Sequence, residues 1–416
     1  MQRLRGKLAG VDHYYYKLSF IEFFANCALM AYLSYLTVYL QSVGVSKEEI
    51  GIINGLNTMF GAIGSMSCGV LSDKWRSIKK VYVACLLPAI FLYSIVPLVG
   101  QISVSALFVL LPLGAMFRMP PSMGLTDNMV MQIAEKRRLV FGSIRMWGTI
   151  GYALMGFLLT ELSKHLGITI SFYAYAAVAL IAVLATVLFV KEADVVEKSD
   201  TPHKSIPLKE MGFSKLFRNY YFMAYLIYSC FASFCTSTGF GILPYLVEDL
   251  QISVDHMATV LSLQSVLEIP LLYLTKKLQT KWSLPTLITF HGVLHSLRLL
   301  LLSQVGSFLP LALVSMLQGL AGGIEFGSGA NYIYYLSPEK LKATAYMLKG
   351  VAGSISGVAA NFLSGYLVVS IGSRKLFFLI GIIMTATTAF FILSTYLGER
   401  VFGQTLPASV KRLKVK

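Results

Sequence analysis

Apolar runs long enough to cross a bilayer, each ~20 residues or more, recur twelve times along this chain. They fall at 16–41, 50–72, 81–100, 103–126, 139–161, 168–190, 220–247, 256–275, 284–304, 308–335, 343–370 and 375–398. In hydrocarbon a segment must satisfy its own backbone hydrogen bonds, so runs of this length become helices. The 56% hydrophobic and 13% charged composition is too apolar for a soluble protein. The expectation is an all-α membrane protein with twelve transmembrane helices in two pseudo-symmetric six-helix bundles.

The connections are short except one. Lys191 to Arg218 is polar, charged and proline-containing, and it divides the spans six and six. The expected organisation is an N-terminal bundle at 1–190, a cytoplasmic linker at 191–218 with a short surface helix at Leu208–Phe217, a C-terminal bundle at 219–400 and a basic cytoplasmic tail at 401–416. The halves look related. Tyr39–Ser46 (YLQSVGVS) resembles Leu246–Ser253 (LVEDLQIS) at an offset of 207, and Gly148-x-x-Gly151 resembles Gly350-x-x-Gly353, with Arg145 and Lys349 just before each pair.

The +15 net charge does not call for nucleic acid. Of the 35 Lys and Arg, only Lys47, Lys164, Arg374 and Lys375 fall on one side of the alternating spans, and Arg118, Arg145, Arg298 and Lys349 lie within spans. The rest fall on the other side, which is the positive-inside asymmetry, and it predicts cytoplasmic termini. The first span follows a basic start without a small-residue cleavage site, so it should be retained rather than removed as a signal peptide. Cys27, Cys68, Cys85, Cys230 and Cys235 all fall in apolar runs without metal-ligand spacing and read as packing residues.

Charges inside spans carry the functional information. A charge near the bilayer centre costs at least ~2.5–3.5 kcal/mol on insertion scales, so it persists where it meets a polar cavity or a partner. Arg145 is the single charge in Phe141–Leu159, among Gly142, Gly148, Gly151 and Gly156 that allow close helix approach. Glu325, in the glycine-rich run Gly322–Gly327, is a carboxyl suited to taking up and releasing a proton near neutral pH. Arg298 has His295 and His291 at helical spacings of three and seven. Glu268 is a further intramembrane acid, and Lys349 can pair with Glu325, pair with Glu268 or meet a carboxylate on the solute. Glu22 can reach Arg118 or Arg145, with structural pairing the expected role. Tyr32, Tyr35 and Tyr39 share roughly one face of span one, where packing is the simpler role. Asn54, Asn57, Gln264 and Asn331 can hydrogen-bond a hydroxylated solute.

Gly69-Val-Leu-Ser-Asp73-Lys-Trp-Arg76, with Lys79 and Lys80 beyond, resembles the cytoplasmic loop signature of the major facilitator superfamily. The resemblance implies a gating loop formed by Gly69, Asp73 and Arg76. The second half's counterpart, Leu274–Lys281, lacks the glycine and aspartate. Asp127, followed eighteen positions later by Arg145 in Phe141-Gly-Ser-Ile-Arg-Met-Trp-Gly-Thr-Ile-Gly151, resembles the oligosaccharide–proton symporters, the lactose permease group. Nucleoside and aromatic-acid symporters share the fifth-span pattern.

This resemblance implies that Asp127 and Arg145 bind the solute, with Tyr152 at the stacking position and Glu268 assisting; Asn331 joins the expected solute-binding set from its place as a polar residue within a span. The resemblance implies that Glu325 carries the proton with Arg298. The chain departs from the pattern where Gly322 replaces a histidine; His295 or His291 can supply the missing imidazole, or the two can simply line a wet cavity. Lys349 stands apart from the group's lysine, and span seven holds no acid before Glu248.

No phosphate-binding glycine loop, metal cluster or nucleophile arrangement is present, so neither ATP drive nor an enzyme is expected, nor a cofactor or metal. The expected function is proton symport of a small polar solute, a sugar or nucleoside, by alternating access in the plasma membrane. Export of drugs or metabolites by proton antiport is the alternative. Expected partners are the solute, protons and the lipid bilayer, without nucleic acid, and the chain is expected to act as a monomer.

Overall fold

Backbone groups with no water to bond must pair within their own segment, and the chain answers with helices throughout. The computed structural model describes residues 13–191, 216–338, 341–401, 403–407 and 410. Most of the expected linker and its surface helix, and most of the basic tail, lie outside the described residues.

The first half contains α1 (His13–Ser42), α2 (Lys47–Trp75), α3 (Ile78–Ile102), α4 (Val104–Pro120), a π-turn (Pro121–Leu125), α5 (Thr126–Lys136), α6 (Phe141–Leu166) and α7 (Ile170–Phe189). The second contains α8 (Tyr220–Asp249), α9 (His256–Val266), α10 (Glu268–Lys281), α11 (Leu284–Leu302), α12 (Phe308–Ser315), α13 (Leu317–Leu336), α14 (Lys342–Ile371) and α15 (Ser373–Arg400). Counting α4–α5, α9–α10 and α12–α13 as interrupted rods gives the twelve spans. Among the described residues, eight segments are long and apolar enough to cross a membrane by length and composition alone. The others are interrupted or carry polar and charged residues within the rod.

Local chemistry sets the ends. Ser77 accepts from the Lys80 amide to start α3, Asn219 from the Phe222 amide to start α8, and Ser283 from the Thr286 amide to start α11. The interruption after α4 follows from Pro120 and Pro121, which supply no N–H to the helix, and Gly124 leaves helical geometry altogether. The fourth rod then runs on to Lys136, ten residues past the expected limit of 126. Asp127, Asn128 and Gln132 ended the apolar run without ending the helix.

Contacts group the chain into two units, Met1–Gly44 with Phe60–Ser199 and Val45–Met59 with Asp200–Lys416. In the first unit α1 packs on α6 and α7, and α3 on α4 and α7. In the second α8 packs on α14 and α15, and α11 on α13 and α15. The two patterns correspond helix for helix. Positive φ recurs at matching turns, Gly44 with Gln251 and Gly167 with Gly372, so the repeat suggested by Tyr39–Ser46 and Leu246–Ser253 extends to backbone conformation.

Candidate functional site

In the first unit the site begins with close approach of two helices. A Cβ on Gly151 would lie 2.5 Å from the Phe23 carbonyl oxygen, so only a glycine lets α6 lie this near α1. The Cys27 thiol donates to the Gly151 carbonyl across the same seam at 3.3 Å. One turn earlier, Gly148 leaves room for two side chains: a Cβ there would lie 2.5 Å from Asn26 Nδ2 and 2.7 Å from an Arg145 terminal nitrogen.

Into that space Arg145 extends from α6. Its Nε lies 3.1 Å from Asp127 Oδ1 on α5, and a terminal nitrogen donates to Asn26 Oδ1 at 3.4 Å. The Asn26 amide in turn donates to Glu22 Oε2 at 3.2 Å. Asp127, Arg145 and Asn26 line a small, partly open cleft together with Pro121, Ser122 and Thr126. The Asp127 side chain is 46% exposed and that of Arg145 24%. The π-turn places Asp127, because the interruption at 121–125 fixes where α5 begins. Such a pair offers an acceptor-only carboxylate beside a guanidinium with several donors, a combination that can hold the hydroxyls of one solute from both sides.

In the second unit Glu325 of α13 is the centre. Its Oε1 accepts from the Lys349 ammonium at 2.8 Å and from the Tyr225 hydroxyl at 2.9 Å. His291 Nδ1 lies 3.8 Å from Glu325 Oε2 and 2.7 Å from the Tyr228 hydroxyl. The His295 ring stacks on His291 with centroids 5.9 Å apart, and its Nε2 is 3.1 Å from Thr236 Oγ1. Arg298 is fully buried, and none of its three guanidinium nitrogens has a hydrogen-bond partner among the described residues. This cluster joins one acid, one ammonium, two imidazoles and two phenols, groups able to exchange a proton over short distances.

Of the residues singled out in the sequence, the structure brings Asp127 to Arg145 and Lys349 to Glu325. Arg298 stands on the same helix as His295 but makes no contact with Glu325 of ion-pair length. Asn331 donates to Gln279 at 3.0 Å, away from the acid. Glu268 opens α10 at the break, its backbone against Gly319 and Gly323. Tyr152 is half-buried on α6 and is not among the residues lining the cleft. Gly69 has open space around it, and Arg76, at positive φ, ends α2; the Asp73 side chain lies outside the described residues. Arg118 stacks over Tyr32, with its guanidinium carbon 3.7 Å from the ring centroid. Asn26, Tyr225, Tyr228 and Thr236 were missed. A lone Asn or Thr in an apolar helix carries no periodic signal, and two tyrosines among 23 do not declare themselves.

A helical membrane protein built as two matching units, with charged clusters held inside each, is a transporter of the major facilitator type. The profile described as MFS_1 like family matches residues 15–396, and the chain belongs to that family. It is 23% identical over 365 residues to the maltose permease of Geobacillus stearothermophilus, covering 86% of this chain and 89% of that protein. Among solved structures, the nucleoside transporter NupG superposes with a TM-score of 0.77 at 17% identity, covering 92% of this chain and 99% of that one. A POT family transporter in complex with a thioalcohol-conjugated peptide superposes at 0.72 and 12% identity, with 94% and 97% coverage. At these identities the structural matches establish the fold.

Proposed function

We propose that this chain is a plasma-membrane importer of a small polar organic solute, a sugar or nucleoside, driven by proton symport with alternating access of two six-span bundles. The observation that carries this reading is the Asp127–Arg145 pair, 3.1 Å apart and partly exposed in an open cleft. An ion pair that served only to tie two helices together would gain nothing from an open face. The relatives are named for maltose and nucleosides, hydroxylated solutes of the kind this pair suits.

Asp127 and Arg145 hold the solute in this reading, with Tyr152, Glu268 and Asn331 contributing to its selection. Glu325 carries the proton, with Lys349, Arg298 and His295 setting when it leaves. Gly69, Asp73 and Arg76 form the cytoplasmic gate, both termini are cytoplasmic, and the monomer is the working unit. Solute and proton sites bias the same conformational change, so each ligand alters the binding of the other.

Binding of radiolabelled maltose and uridine to the purified protein tests the solute site. Arg145→Ala is expected to lose binding of whichever probe the wild type takes, with helix content unchanged; an unchanged affinity removes Arg145 from the site. In proteoliposomes Glu325→Gln is expected to stop proton-driven accumulation and leave solute exchange running. Accumulation that persists assigns the proton to another group.

A further inference from the structure

Several buried polar atoms of the first unit have no hydrogen-bond partner among the described residues. They include Glu22 Oε1, the hydroxyls of Tyr82 and Tyr175, and Arg118 Nε. Tyr82 and Tyr175 line a small cavity together with Ala25, Ala28 and Thr126. This cavity shares Ala25, Pro121, Ser122 and Thr126 with the Asp127–Arg145 cleft. On α1, Glu22 precedes Ala25 and Asn26 by three and four residues, which puts all of them on one face.

We propose that Glu22, one helical turn before the α1 residues that line cavity and cleft, is a proton-binding acid, and that its charge is read at Arg145 through Asn26. Glu22 is 0% exposed. A carboxylate so deeply buried needs a cation or several donors; among the described residues the Asn26 amide donates to it, and its other hydrogen-bonding neighbour is a second carboxyl, Asp127. The cation in the neighbourhood is already turned to Asp127 and to Asn26 Oδ1. Facing Glu22 are Asp127 of α5, Arg145 of α6 and Tyr82 of α3, and Tyr175 of α7 lines the adjoining cavity.

The unpartnered Oε1 is where a proton resides, and the cavity with its two phenols is where that proton enters and leaves. Loss of the proton places a second negative charge beside Asp127. Asn26, whose carbonyl holds Arg145 and whose amide holds Glu22, passes that change to the guanidinium. Solute affinity then depends on the proton on Glu22 as well as on events at Glu325. The readout at Arg145 rests on that residue's proposed place in the solute site; the proton site itself does not.

Infrared difference spectroscopy across a pH titration of the purified full-length protein tests it without any solute. A titrating C=O stretch of a protonated carboxylic acid is expected in the wild type and in Glu325→Gln, absent in Glu22→Gln and shifted in frequency in Glu22→Asp. Identical titrating bands in wild type and Glu22→Gln overturn the proposal. If Glu22→Gln does not fold, an unshifted band in Glu22→Asp overturns it in the same way. Loss of the band in Glu22→Gln, with Arg145→Ala still binding its probe, preserves the proton site and removes the readout.

Discussion

Gly148 shows how much a single missing methyl group decides. The atoms a Cβ would meet there are the ends of the Asn26 and Arg145 side chains, which can swing aside, so Gly148→Ala should fold. The hydrogen bond between them would not survive the shift. A hydrogen bond to a charged group contributes ~1.5–3 kcal/mol, so solute affinity should fall by about one to two orders of magnitude, read by equilibrium binding, with little change in thermal unfolding. An unchanged affinity would show that Asn26 does not hold Arg145 for binding. The Lys349–Glu325 pair predicts a different pattern. Breaking a fully buried pair costs ~3–5 kcal/mol, and here both side chains are about one quarter exposed, so Lys349→Met should cost less. Adding Glu325→Gln should recover most of the lost thermal stability, because the stranded charge goes with it; a double variant no more stable than the single one would mean that the charge is not the cause. At this scale the charged residues were legible, since a charge in an apolar run is conspicuous. Their neutral partners were not, and Lys349 stood between Glu325 and Glu268 until distances were known.

Helices were legible as apolar runs, but their interruptions were not. Proline and glycine occur in many of these segments, and tertiary packing decides which of them breaks a helix. Pro88 and Pro97 sit inside an unbroken α3, whereas Pro120 ends α4 and Pro121 opens the π-turn. The break matters to function because Asp127 follows it directly. Contact between rods gives a sharper prediction. A Cβ on Gly51 would come within 2.8 Å of the Gly365 Cα and 2.9 Å of the Asn361 carbonyl oxygen, both backbone atoms that cannot swing aside. The same seam carries a hydrogen bond from Asn361 Nδ2 to Thr58 Oγ1 at 3.0 Å, and Lys47 at the start of α2 pairs with Glu248 of α8 at 3.3 Å. Gly51→Ala should therefore force α2 and α14 apart and cost ~1–3 kcal/mol, measured by thermal unfolding in detergent. Gly350→Ala, with open space around it, should cost nothing. Equal melting temperatures for the two variants would contradict the packing.

For the whole molecule, the distribution of lysine and arginine was the most direct signal, because membrane insertion reads it along the chain rather than in the fold. It predicts that Lys136 faces the cytoplasm and Lys164 the outside, and both are exposed. A membrane-impermeant maleimide should label Lys164→Cys in intact cells and Lys136→Cys only after lysis; the reverse pattern would invert the proposed orientation. Internal duplication was visible in a few residues and proved deeper in the backbone, where Gly44 answers Gln251 and Gly167 answers Gly372. Arg298, sealed in the second unit without a counter-charge at hydrogen-bonding distance among the described residues, has an effect that reaches past its own contacts. It makes a standing hill of positive potential in a poorly screened medium, and a nitrile vibrational probe placed nearby should register that field as a frequency shift that Arg298→Met removes.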